Sequence, residues 1–163
     1  MNEEIIELAT PQDAAAVFAL YRSLIDSPYG TWDEDYPSWE IVCEDLAQND
    51  VLVLRLPGGG IGAAIVVEKT EEFEADVAWY PDVTRWCALG RLGVARNMQG
   101  RGVARRMLTR AMELAKAEGY EAVRFLVGAH NEPALRSYAA LGFEVCGEAH
   151  LWDEDWLCYE KRL

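Results

Sequence analysis

Between Trp86 and Ala129 four patterns follow one another with little between them, and their order limits what the chain can become. WCALGRLGV (86–94) is an apolar run broken by glycines, as expected of a central strand that bulges or lets another backbone come close. NMQGRG then sets two glycines beside arginines. Val103, Met107, Ala111, Leu114 and Ala115 recur at helical spacing up to Gly119, a natural stop, and AVRFLVGA (122–129) reads as a buried strand. Such alternation is the signature of an α/β layer.

The flanking segments extend it. Ile5, Ile6 and Leu8 make a first strand, and Thr10-Pro11-Gln12-Asp13 reads as an N-cap, a helix-compatible proline and an acidic first turn. That helix is expected to run to about Ile25, where YGTWDEDYPSW (29–39) breaks it, and a second helix spans about Ser38 to Gln48. VLVLRL and IGAAIVVE flank Pro57-Gly58-Gly59-Gly60, a hairpin pattern. Lys69 to Thr84 is acidic and irregular, with a strand expected around Ala75 to Tyr80. Asn131 caps a helix with its body at Ala134 to Leu141 and its stop at Gly142, and Phe143 to Cys146 and Trp152 to Glu160 close the fold as strands. The expected architecture is α/β, a mixed sheet flanked by helices, in a single domain over residues 1–163.

Charge narrows the partners. The net charge is -13, which disfavours nucleic acid, yet Arg85 to Lys116 holds eight basic residues against one acid, Glu113. Positive potential is thus concentrated around the glycine turn, although arginines on a solvated helix face account for part of it. The acidic N-terminus lacks signal-peptide character and no apolar run could span a bilayer, so a cytoplasmic protein without a membrane partner is expected. Cys43, Cys87, Cys146 and Cys158 form no C-x-x-C pair, which argues for packed, reduced thiols and against a metal site.

A glycine turn leading from a strand into a helix makes an anion site, because the first-turn N–H groups lack intrahelical partners and carry the positive end of the helix dipole. The turn is neither a Walker loop nor a full G-x-G-x-x-G. Gln99-Gly100-Arg101-Gly102-Val103-Ala104 resembles the Q/R-x-x-G-x-G/A signature of the GCN5-related N-acetyltransferase (GNAT) superfamily. Asn131-Glu132-Pro133-Ala134-Leu135-Arg136-Ser137-Tyr138, followed by Leu141-Gly142-Phe143, resembles that family's N-x-x-A-x-x-x-Y...GF segment. The resemblance covers Trp86 to Phe143 at motif level, and element order upstream.

It implies a GNAT fold, with acetyl-CoA as cosubstrate and an amine as acceptor. Backbone N–H groups from Gln99 to Arg105 would cradle the diphosphate, Leu92, Gly93 and Val94 would pair with the pantetheine arm where the fourth and fifth strands splay, and Asn131 would hold the arm. Asn131 reads equally as an ordinary N-cap. Leu92 or its neighbour would polarise the thioester carbonyl through its N–H. Tyr138 would protonate the leaving sulfur, a phenol of pKa ~10 facing a thiolate of pKa ~8.5; the plain alternative is a core aromatic. A homodimer is compatible with the resemblance.

Acyl transfer also needs a neutral amine. Many relatives carry a glutamate on the fourth strand, and WCALGRLGV has none. Base candidates are Asp33, Glu34 or Asp82 through water, His130, which reads equally as a surface or capping residue, or no protein group at all, while Cys87 reads as packing. Tyr29, Trp32, Tyr36 and Trp39 surround Asp33, Glu34 and Asp35, a composition that suits an organic cation or an anchored, solvated loop. Trp79, Tyr80 and Trp86 are candidates for the opposite wall. Three functions remain open: acetyl transfer to a small amine, acetyl transfer to a protein or peptide, and CoA binding without turnover.

Overall fold

The computed structural model describes residues 4–27, 32–69 and 77–163. Seven strands form one sheet in the order β1-β2-β3-β4-β5-β7-β6. They are β1 (Ile5–Leu8), β2 (Asp50–Arg55), β3 (Ile61–Glu68), β4 (Trp86–Val94), β5 (Ala122–Gly128), β6 (Glu144–Leu151) and β7 (Glu154–Arg162). All neighbours run antiparallel except β4 and β5, which are parallel and therefore need a crossover. Helix α3 (Val103–Ala117) supplies it.

Period-two alternation sorts the strand residues into two cores. On one face Val51, Val53, Ala64 and Val66 meet Val17, Leu20, Tyr21 and Leu24 and, from the next helix, Val42. These belong to α1 (Ala14–Arg22) with its exit turn and to α2 (Trp39–Gln48). On the other face Leu52, Leu54, Ile65 and Val67 meet Met107, Leu108, Ala111 and Ala115 of α3. Met107 and Leu108 are wholly buried, and each such side chain stabilises the fold by about 1.5–3 kcal/mol. Helix α4 (Glu132–Ala140), across a cleft from the head of α3, adds Ala134, Leu135 and Tyr138 to this core.

Three boundaries differ from the sequence reading. α1 stops at Arg22 rather than near Ile25, because Leu24 N–H bonds the Tyr21 carbonyl and the Ser23 hydroxyl donates to the Leu20 carbonyl at 2.6 Å, tightening the turn. Val77 to Tyr80 form no strand, and Ala75 and Asp76 lie outside the described residues. β6 and β7 together reach from Glu144 to Arg162 around a two-residue turn, Trp152 and Asp153, with φ of 53° and 60°.

Candidate active site

The parallel seam is short. Trp86, Cys87 and Ala88 pair with Ala122, Val123 and Arg124, and beyond them β4 and β5 part. β4 stays with β3, pairing Gly93 with Ala64 and Val94 with Ala63, while β5 follows β7 as far as Gly128 and Trp156. The divergence coincides with a bulge: Ala64 faces Gly93 and Val66 faces Gly90, so Ile65 alone spans Arg91 and Leu92.

Arg91 holds this bulge in a left-handed backbone, φ 45°. Its Nε and Nη2 donate to the two Asp45 carboxylate oxygens at 2.6 Å each, it ion-pairs with Glu68, and Nη1 donates to the Tyr36 hydroxyl at 3.1 Å. The Tyr21 hydroxyl donates to the Arg91 carbonyl at 3.1 Å. Burial alone would depress the guanidinium; the Asp45 hydrogen bonds and the Glu68 charge instead raise it above the ordinary value. Sequence reasoning missed this cluster. Its signal was Glu68 ending an otherwise apolar run and Asp45 on the buried stripe of α2.

The gap opens a cavity of about 310 Å³ lined from both faces of the sheet, including Leu92, Gly93 and Val94 on β4 and Phe125 to Gly128 on β5. Gly93 lets Leu24 and Trp32 close onto the strand: a Cβ there would lie 3.1 Å from Leu24 and 3.3 Å from the Trp32 ring, so both side chains would have to give way. A second cleft, about 610 Å³, runs from Gln99 and the head of α3 to Asn131, Ser137 and Tyr138. Tyr138 lines both. Its ring packs against Phe125, Phe143 and Tyr159, with centroids 4.9, 5.9 and 5.9 Å away. Burial, with Tyr159 adding, pushes the phenol up to about 12, so it keeps its proton throughout the neutral range.

At the head of α3, Gly102 occupies the N-cap with φ 76° and offers no side chain to the first-turn N–H groups. They face the second cleft bare. Arg106 pairs with Glu4 at 3.0 Å and Arg110 with Glu113 at 2.8 Å, whereas Arg101 and Arg105 have no ionic partner among the described residues. Gln99 donates to the Val94 carbonyl at 3.0 Å, bridging turn and strand. Asn131 caps α4, its Oδ1 accepting from Ala134 N–H at 3.3 Å, and also lines both cavities. The structure thus brings Leu92, Gly93, Val94, Gln99, Asn131 and Tyr138 around one opening and sets Gly100, Gly102, Val103, Ala104 and Arg105 along the adjoining cleft. A bare helix N-terminus, free arginines and unpaired strand backbone fit an extended, phosphate-bearing cosubstrate such as acetyl-CoA.

The family model described as Acetyltransferase (GNAT) family matches residues 17–143. The chain belongs to the GNAT acetyltransferase family. A mycothiol acetyltransferase of Corynebacterium aurimucosum is 33% identical over 61 residues, 37% of this chain and 20% of that protein, so the match spans about a fifth of the curated relative's length. Solved structures agree along nearly the whole chain. One assigned as a phosphinothricin N-acetyltransferase has a TM-score of 0.78 at 22% identity, covering 99% of each chain. A GNAT acetyltransferase from Streptococcus pneumoniae has 0.74 at 21%, covering 99% of this chain and 100% of that one. The Salmonella typhimurium protein yncA, solved with its cofactor acetyl-CoA, has 0.75 at 17%, covering 99% and 94%. At these identities the likeness establishes the GNAT acyl-CoA N-acyltransferase fold.

In this GNAT chain the expected base candidates do not line the gap cavity. Asp33 accepts from its own loop, from Asp35 and Tyr36 N–H at 2.8 and 2.9 Å. Glu34 is exposed, and its carbonyl accepts from Arg22. Asp82 is tied to Arg162 by two hydrogen bonds of 2.7 and 2.8 Å, and His130 is exposed beyond β5. Of the acceptor-loop aromatics, Trp32 lines the cavity, Tyr36 serves Arg91, Trp39 packs edge-on against Phe18, and Tyr29 lies outside the described residues. Trp79 and Trp86 sandwich Arg124 at 5.0 and 4.7 Å, beside its 2.7 Å ion pair with Glu160. Tyr80 joins this cluster through its N–H, which donates to Glu160 at 2.6 Å. Cys87 is buried and its thiol is raised by burial to about 12, as packing requires. Trp156 completes the cavity wall and was not foreseen: on β7 it reads as one aromatic of a closing strand. Among the described residues no cluster of three His, Cys, Asp or Glu could hold a metal, and no helix is long and apolar enough to cross a membrane.

Proposed function

We propose that this single-domain GNAT protein moves an acetyl group from acetyl-CoA directly to the primary amine of a small molecule. The observation that carries the reading is the cavity through the β4–β5 gap, with Tyr138 shared between it and the cleft leading to the α3 N-terminus. Acetyl-CoA supplies the activated acetyl thioester. The N–H groups from Gln99 to Arg105 hold the diphosphate, with Arg101 and Arg105 adding charge. The backbone of Leu92, Gly93 and Val94, unpaired on the β5 side, receives the pantetheine arm with Asn131 beside it. Leu92 N–H donates to the carbonyl oxygen as negative charge develops there. The Tyr138 hydroxyl hands its proton to the departing sulfur. With no carboxylate at the gap among the described residues, the amine enters neutral and releases its surplus proton to water.

The cavity's modest size favours a small acceptor over a folded protein surface. The test is thiol release from acetyl-CoA across a panel of amines. Tyr138→Phe should lower kcat by roughly 10²-fold or more while calorimetric affinity for acetyl-CoA is kept. Equal rates would leave Tyr138 as a core aromatic, and absence of amine-dependent release across the whole panel would leave a CoA-binding module.

A further inference from the structure

The two faces of the gap differ in chemistry. Towards the turn lie bare N–H groups and arginines. On the opposite face Leu24, Trp32, Leu126 and Trp156 meet, with Ser27 beside them. Strand alternation assigns Trp156 to that face, because its neighbours Leu157 and Tyr159 pack into the α3–α4 core. Both indoles are fixed. Trp156 donates to the Leu151 carbonyl at 3.0 Å and meets Trp152 edge-on at 5.9 Å. Trp32 meets Tyr21 edge-on at 5.0 Å and closes over Gly93.

The cavity wall offers no free charge. Among the described residues no carboxylate lines it, and the charged residue that does, Arg91, is held by two buried carboxylates, Asp45 and Glu68. A carboxylate on the acceptor would find no free cation and would meet this local excess of negative charge, and a second ammonium would find no carboxylate on the cavity wall. Burying either charge unpaired costs more than an aromatic contact returns. The thioester end must share the roughly 310 Å³, so the acceptor's body is limited in size.

Resting on the transferase reading above, we infer that the acceptor is a small primary amine on an aromatic or alkyl body, without a carboxylate or a second ammonium group, seated between Trp32 and Trp156. The amine lone pair forms the C–N bond, the C–S bond breaks, and its electron pair leaves on sulfur, which takes the Tyr138 proton. The nitrogen loses one proton to water, and the phenolate regains one from water.

The experiment compares thiol release with 2-phenylethylamine, tryptamine and hexylamine against glutamate, lysine and spermidine at mildly alkaline pH. The aromatic and alkyl amines should lead in kcat/KM by about 10-fold or more, the scale on which an apolar pocket discriminates. Trp156→Ala should lower kcat/KM for 2-phenylethylamine by about 10-fold, with the acetyl-CoA KM held within about twofold; Trp156→Phe should retain most of the preference. Preference for glutamate, lysine or spermidine overturns the inference and leaves acetyl transfer standing, as does unchanged selectivity in a folded Trp156→Ala protein. Absence of amine-dependent release with every amine overturns both.

Discussion

Arg91 shows how one residue can carry a bend, a pair of buried ionic contacts and a strand separation together. It adopts φ 45° at the bulge while its guanidinium pairs with both Asp45 and Glu68, which are only 4% and 7% exposed. Arg91→Ala would strand both carboxylates, so the unfolding free energy should fall by about 3–5 kcal/mol in denaturant titrations. A loss below about 1 kcal/mol would mean that water already reaches them. The sequence counts Arg91 among the basic residues near the glycine turn, yet its charge is committed to the opposite face of the sheet. Charge counting reads position along the chain and is blind to strand alternation. The placement of Asn131 and Tyr138 at the cavity was legible because they sit in a spaced motif at one helix. Asp33 satisfies its own turn, as short carboxylates in loops so often do, in keeping with the reading of an anchored, solvated loop.

At the level of elements, the head of α3 separates binding from folding. Gly102 has open space around the position of a Cβ and a positive φ of 76°, a conformation aspartate tolerates better than most residues. Gly102→Asp should therefore cost about 1–2 kcal/mol of backbone strain and lower the melting temperature modestly with the fold kept, while placing a negative charge where the diphosphate is proposed to sit. Calorimetry should show acetyl-CoA affinity reduced by at least about 10-fold, the effect of losing ~1.4 kcal/mol; unchanged affinity would move the cofactor elsewhere. The order of the eleven strands and α-helices among the described residues was readable from periodicity, although Val77 to Tyr80 form no strand, and so were the limits of β4, α3 and β5, where apolar spacing is strict. The far ends of β6 and β7 were not. Glu148, His150, Glu154 and Asp155 carry no apolar alternation, and their pairing is set by backbone bonds around a Trp152-Asp153 turn lacking the glycine that usually marks one.

Across the whole molecule, buried and half-buried phenols couple stability to alkaline pH. Burial raises Tyr21, Tyr138 and Tyr159; it also raises Tyr80, with a hydrogen bond to Glu144 helping, and both Tyr80 and Tyr138 reach about 12. The folded state holds these protons more tightly than the unfolded chain. The stability they confer is complete below the ordinary phenol value near ~10 and is lost as pH climbs towards about 12. In a spectrophotometric titration, tyrosinate from these residues should appear late and together with loss of near-ultraviolet circular dichroism. Ionisation of all seven tyrosines near pH ~10 in a still-folded protein would contradict their burial. Burial of this kind depends on the assembled layers, so no single segment of sequence announced it. The short seam between β4 and β5 has a different consequence, for solubility. Beyond Ala88 the two strands no longer pair with each other, so the sheet carries two interior edges in addition to β1 and β6 at its rims. Any extended peptide can compete for such a slot, and an occupant held there shields it. For this protein the bound cosubstrate would then act as a guard against aggregation as well as a donor.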